Sequence, residues 1–279
     1  MAGRVTVVSL GPGALDQMTP AARDAIEQAD VIVGYATYVR LITDLAPHVP
    51  RESSGMHHEV ERAARAVELA AKGKHVALAC GGDAGIYSLA GLVLEVRHIR
   101  GLDVPVTVLP GVSALNAAAA LCGAPLGSDF AVISLSDYLV PFSLILARVE
   151  AAARADFVLC LYNPKSSKRA AQFSMACEAI ARWRMPETPV GIVKDAYRPG
   201  QQVRLTTLGQ LVGADVDMNT LVIVGNNSTE ILQDRIVTPR GYAGKYSLER
   251  NSETAAGGGP MATAPPSSGA SNGGQHNFA

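Results

Sequence analysis

Three times in the first half of the chain a short apolar run ends abruptly in a glycine or proline turn. Val5 to Leu10 meets "GPG", His75 to Cys80 meets "GGDAG", and Val104 to Leu109 meets "PGVSA". Each turn leads into a helix-forming stretch, and this alternation restricts the fold. Strands connected through helices run parallel, and a parallel sheet needs helices on both faces. After the first strand, Thr19 and Pro20 supply an N-cap and a first helical position, and Ala22, Ala25, Ile26 and Ala29 recur at helical spacing before the apolar run Val31 to Val33. From Glu59 to Lys72, Val60, Ala63, Ala64, Val67 and Ala71 make one helical face that stops at Gly73, with Glu61/Arg65 and Glu68/Lys72 paired along the outside. A helix through about Val96 follows "GGDAGIY", and an alanine-rich helix follows "PGVSA" and ends at Gly123.

The pattern changes after Ala124-Pro125-Leu126-Gly127. Strands are expected at Phe130 to Leu135, Phe157 to Tyr162, Val190 to Val193, Val203 to Thr206 and Leu221 to Val224, and helices at Phe142 to Ala153 and Arg169 to Arg184. The last strands have little helix between them, which predicts a mixed sheet. The expected organisation is an α/β N-terminal domain over 1–126, a mixed α/β C-terminal domain over 127–251, and a tail over 252–279. That tail is Gly, Ser, Pro, Ala and Asn with almost no large apolar side chain, a composition that predicts disorder.

At 279 residues there is material for two cores, and 48% of the residues are hydrophobic without an uninterrupted apolar span of membrane length. No leader-like pattern opens the sequence, so the expected location is the cytoplasm. A net charge of −1 gives no global attraction for nucleic acid or an anionic membrane, and neither is expected as a partner. Cys80, Cys122, Cys160 and Cys177 sit singly among apolar residues and read as buried thiols.

The opening loop is not a dinucleotide fingerprint. Counted from Gly11, the sixth position is Asp16 where glycine is needed, and Gly34-Tyr35 stands where an acidic residue belongs. There is no GKS or GKT, no GxSxG, no HExxH and no metal-spaced ligand cluster. In a parallel sheet the strand carboxyl ends share one edge, where ligands bind, and small residues there let backbone groups reach a ligand directly. A ligand held by backbone and shape without phosphate donors fits a nucleoside with an amino-acid tail. Taken singly, each loop is equally a tight structural turn.

As an ordered set, "LGPG", "GGD" with Ile86, "PGVSA", "LYNP" and "TPVGIVKDA" resemble the tetrapyrrole methylases over nearly all of residues 4–247. Within that family "DVIVGYATYVRLI", "LYNPKSSKR" and "GNNSTEI" followed by "TPRGYAGKY" are most similar to the branch that methylates C17 of precorrin-3B in cobalamin biosynthesis. The resemblance implies two α/β domains of the class III methyltransferase fold enclosing a cleft, S-adenosyl-L-methionine as methyl donor with S-adenosyl-L-homocysteine as product, a tetrapyrrole substrate and a homodimer. It implies that Pro12, Gly81, Gly82, Asp83, Ile86, Ser113, Ala114, Asn163 and Ala196 contact the cofactor. Ala84 departs from the proline usual after GGD. Asp83 can also cap a helix starting near Gly85, and Tyr87 and Tyr162 either meet the sulfonium or simply pack.

The reaction implied is methylation with ring contraction to precorrin-4, in which a hydroxyl proton must leave. His57, His58, Glu59 and Asp137 are the candidate bases, the first three reading equally as a solvated helix start. A substrate rimmed by carboxylates calls for cations, and Lys165, Lys168, Arg169, Lys194 and Arg198 are the candidates to bind it. Another tetrapyrrole methylase, acting at a different position or on the cobalt-bearing intermediate, and a non-catalytic nucleoside-binding module remain as alternatives.

Overall fold

The computed structural model describes residues 3–166, 169 and 171–248. Residues 1–240 form one compact unit, and beyond it Tyr242–Gly244 make a single 3₁₀ turn. The strands β1 (Arg4–Ser9), β2 (Val31–Tyr35), β3 (Arg51–Ser54), β4 (His75–Cys80) and β5 (Val106–Leu109) alternate with helices α1 (Pro20–Glu27), α2 (Ala36–Leu41), α3 (Glu59–Ala71), α4 (Ala90–Ile99) and α5 (Ala114–Cys122). All five strands run parallel in the order β3-β2-β4-β1-β5. Thr19 Oγ1 accepts from the Ala22 N–H at 3.2 Å with Pro20 in the first turn, as their order predicts. The two faces of the sheet are buried by separate clusters, one built on Ala63, Val67, Leu78 and Val93, the other on Val8, Ile26, Ile32 and Ala77. Alternate residues of one strand thus serve opposite faces.

A two-residue strand β6 (Gly123–Ala124) leads into the second half. Here β7 (Phe130–Ser134), α6 (Phe142–Arg154), β8 (Val158–Tyr162), α7 (Ala171–Ala181), β9 (Pro189–Lys194), β10 (Gln202–Thr207) and β11 (Thr220–Val224) form a sheet ordered β10-β9-β11-β8-β7. Only β7 and β8 pair in parallel; β11 lies antiparallel to both β8 and β9, and β10 antiparallel to β9, so the sheet is mixed. One face carries α6 and α7, with Phe173, Ile180, Leu159, Leu161 and Val224 fully buried.

The other face of this sheet is covered by α5, a helix from the first half of the chain. Leu115, Ala118, Ala119 and Cys122 pack on Val158, Cys160, Val193, Leu221 and Ile223. The hairpin β12 (Glu230–Leu232) and β13 (Arg235–Val237) then pairs back on β6. Its buried knot explains "GNNST" and the threonine of "TPR". Thr229 Oγ1 accepts from the Asn226 N–H at 2.8 Å and lies 2.8 Å from Thr238 Oγ1, while the Thr238 N–H donates to the Ala124 carbonyl. Among the described residues no helix is long and apolar enough to cross a membrane.

Candidate functional site

The three glycine and proline turns at the carboxyl edge of the first sheet are bonded to one another. Gly11 and Gly82 exchange both backbone hydrogen bonds, at 3.1 and 2.8 Å. The buried Ser9 hydroxyl donates to the Leu109 carbonyl at 2.6 Å and accepts from the Ala84 N–H at 2.8 Å. Asp83 completes the knot: Oδ1 accepts from the Gly85 N–H at 2.8 Å and Oδ2 from the Gly111 N–H at 2.9 Å. Asp83 therefore caps no helix, since α4 begins at Ala90; its carboxylate ties "GGDAG" to "PGVSA". Ser113 does cap a helix, accepting from the Asn116 N–H at the start of α5.

The second sheet approaches these turns through two tyrosines that cross in opposite directions. Tyr87 donates its hydroxyl proton to the Val132 carbonyl at 2.9 Å and accepts from the Ser134 N–H at 3.1 Å, both on β7. Tyr162, at the end of β8, accepts from the Leu115 N–H at 2.9 Å, satisfying an unpaired donor in the first turn of α5. Their rings meet edge to face at 5.3 Å. Burial pushes both phenols up, so both stay neutral near pH 7.

Between these loops lies an open cleft, about 930 Å³ of space when the solvent at its mouth is counted. Pro12, Gly81, Gly82, Asp83, Ile86, Ser113, Ala114, Asn163 and Ala196, the nine positions expected from sequence, all line it, together with Tyr38, Tyr87, Tyr162, Asp195, Arg198, Asn219 and Leu221. An apolar wall comes from Ala118, Val193, Ala196 and Leu221, which belong to the α5 packing cluster. Polar groups of both signs, Asp195 and Arg198, also line the cleft. Tyr87, Asn163 and Asp195 on its lining hold positive φ of 50°, 52° and 48°. Sequence reasoning missed Tyr38, whose ring lies against Gly81; a Cβ at that glycine would sit 2.6 Å from it.

A sequence profile of the tetrapyrrole (corrin/porphyrin) methylases matches residues 4–212. The chain belongs to this family. It is 46% identical over 257 residues to a cobalt-factor III methyltransferase of Priestia megaterium, covering 91% of this chain and 48% of that protein. It is 45% identical over 238 residues to a probable cobalt-factor III C(17)-methyltransferase of Salmonella typhimurium, covering 85% and 99%. The chain thus spans about half the first relative and nearly all of the second. The crystal structure of the methyltransferase CobJ superposes with a TM-score of 0.79 at 36% identity, over 85% of this chain and all of that one.

The remaining candidates, Arg198 apart, do not line this cleft among the described residues, and most have partners within the fold. Lys165 donates to the Ala214 carbonyl at 3.3 Å and lies over the Phe173 ring. Arg169 clasps the Leu135 carbonyl at 3.0 Å and pairs with Asp137 at 3.7 Å, and the other Asp137 oxygen accepts from Gln172 at 3.0 Å. Lys194 is paired with Asp217 at 2.6 Å. Lys168 and the tail 252–279 lie outside the described residues. His57, His58 and Glu59 begin α3 away from the cleft lining: His57 stacks near Tyr138, His58 lies 3.8 Å from Glu61, and Glu59 pairs with the buried Arg62 at 3.1 Å. Of the cations expected to bind substrate, only Arg198 reaches the cleft among the described residues.

Proposed function

We propose that this chain is an S-adenosylmethionine-dependent methyltransferase acting on C17 of a tetrapyrrole in cobalamin biosynthesis, with contraction of the macrocycle. The observation that carries the reading is the single cleft on which all nine expected cofactor positions converge. The residues fit the donor: an apolar wall for a base, glycine backbone for close approach, and Asp195 and Arg198 as counter-charges for an amino-acid tail. When bound, S-adenosylmethionine supplies a methyl group whose leaving group departs as a neutral thioether, so no acid is needed at that step. The task of the chain's own residues is to hold the acceptor in line and keep water out. Asp83, Ser9 and the Gly11–Gly82 bridge act as the frame that keeps the loops in register, and Tyr87 and Tyr162 hold the second sheet against them.

Two substrates share this chemistry. Sequence resemblance points to metal-free precorrin-3B, converted to precorrin-4; the names of the two relatives at 46% and 45% identity favour the cobalt-bearing counterpart. We further infer a division into two domains near residue 126 from the change of sequence pattern there, a homodimer on the same resemblance, and a cytoplasmic location. Incubation with methyl-labelled S-adenosylmethionine and either tetrapyrrole, followed by carbon NMR, tests the reading. Label at C17 from one substrate supports it and names the metal state. Label at another carbon, or none from folded protein, overturns it.

A further inference from the structure

The methyltransferase reading requires carboxylates to enter the cleft, on the donor's amino-acid tail and around the rim of the macrocycle, yet among the described residues only one cationic side chain lines it. Arg198 is held for a specific orientation. Its stem passes over Gly13, where a Cβ would lie 2.4 Å from Arg198 Cγ, so the second glycine of "LGPG" makes room for a side chain from the other sheet. Nε donates to the Pro12 carbonyl at 2.5 Å, and the guanidinium carbon lies 6.0 Å from the centroid of the Tyr38 ring. With Nε fixed, the two Nη groups have no hydrogen-bond partner among the described residues and form a fork suited to a carboxylate.

Three tyrosines line the cleft. The hydroxyls of Tyr87 and Tyr162 are committed to β7 and α5. That of Tyr38 bonds to none of the described residues, although its ring is fixed between Gly81 and Arg198. We propose that Arg198 and Tyr38 form a carboxylate subsite, the guanidinium supplying a two-pronged donor and the phenol a third hydrogen bond. Burial pushes the Tyr38 phenol up, offset only in part by Arg198, so the phenol keeps its proton and acts as a donor. Two carboxylates line the cleft: Asp83 has both oxygens occupied by backbone N–H groups, and Asp195 forms no ion pair with Arg198 among the described residues.

The inference rests on the methyltransferase reading, and its test separates the two. S-adenosylhomocysteine and 5′-methylthioadenosine share nucleoside and thioether, but only the first has a carboxylate. Both are titrated calorimetrically into wild type, Arg198→Gln and Tyr38→Phe, and KM for the tetrapyrrole is measured in parallel; Tyr38→Phe keeps the ring packing and removes only the hydroxyl. If the subsite holds the donor's tail, Arg198→Gln weakens S-adenosylhomocysteine by about 10- to 100-fold and Tyr38→Phe by about 5-fold, with methylthioadenosine unchanged. If it holds a rim carboxylate, both nucleosides bind normally and KM for the tetrapyrrole rises by similar factors at steady kcat. Equal loss of both nucleosides would make Arg198 only a brace for the Pro12 loop, and variants matching wild type throughout would leave no subsite; either result overturns the proposal while the methyltransferase reading stands. Wild type that binds neither nucleoside overturns both.

Discussion

Replacing Asp83 by asparagine keeps the side chain's shape and removes one of its two acceptors. In the native loop the carboxylate receives the Gly85 N–H at 2.8 Å and the Gly111 N–H at 2.9 Å, the first exposed and the second part-buried. An amide can satisfy only one and must turn its NH₂ toward the other. Hydrogen bonds to a charged acceptor contribute about 1.5–3 kcal/mol, with exposed ones at the low end. Turning the remaining oxygen to Gly111 leaves the Gly85 N–H to water, the less costly choice. The expected loss is therefore about 2 kcal/mol for Asp83→Asn and about 3 kcal/mol for Asp83→Ala. Urea denaturation without ligand reads this as a lower midpoint at unchanged slope. Hydrogen exchange adds a local readout, because in Asp83→Ala the Gly111 amide loses its acceptor and should exchange faster. Unchanged stability and unchanged Gly111 protection, combined with lost S-adenosylhomocysteine binding, would refute the loop-tie reasoning and make Asp83 a direct ligand contact.

Tyr87→Phe, which removes two bonds to β7, and Tyr162→Phe, which removes one to α5, should lower stability by about 2 and about 1 kcal/mol in the same denaturation assay; a variant as stable as wild type would contradict the bonds assigned to it. At Asp217 burial pushes the carboxyl up, but the Lys194 ammonium, the Asn219 N–H and the Thr220 hydroxyl outweigh it and leave it below the ordinary aspartate range. A depressed folded value stabilises above the unfolded pKa and is lost as pH falls through the folded one. Asp217→Asn should therefore be less stable than wild type near neutrality, the gap closing below about pH 4; a gap that widens in acid would reverse the assignment. Burial pushes the Cys160 and Cys177 thiols up to about 12 and Cys122 up to about 11, so native protein at pH 8 should resist Ellman's reagent at these positions while unfolded protein reacts at all four cysteines.

Most strands of the two sheets are legible because they are apolar runs closed by a turn residue. The expected His75 to Cys80 strand is β4, and Phe142 to Ala153 differs from α6 by one residue. β3 was not legible: "RESS" has no apolar alternation, because this edge strand is held by pairing to β2 and by Arg51, whose guanidinium reaches the Thr43 and Ala46 carbonyls. Helix α4 begins at Ala90 and not near Gly85, because "GGDAG" is ordered by Ser9 and Asp83 and not by helical bonds. Glycine turns could be read as one ligand edge from their order alone. The cations could not, since Lys165, Arg169 and Lys194 differ from Arg198 only in carbonyls and carboxylates that are remote in sequence, apart from the turn carbonyl of Asn163 beside Arg169. Tyr38 was hidden for a related reason, as nothing in "GYATY" tells which aromatic ring will meet a glycine more than forty residues away.

The placement of α5 bears on how the polypeptide can be divided. A break in the connector after Ala124 would leave one fragment ending in a helix whose apolar side has no strands to cover, and another whose β9 and β11 lie bare to water. Such halves would aggregate separately and regain solubility only when mixed. A break in the "PGVSA" turn, ahead of Ala114, would send the helix with the sheet it covers. Geometric boundaries and the sequence's own change of pattern are then about a dozen residues apart, and fragments divided at the earlier one should stay more soluble apart, though the cut falls in a cleft turn that Asp83 and the Ser113 cap hold together.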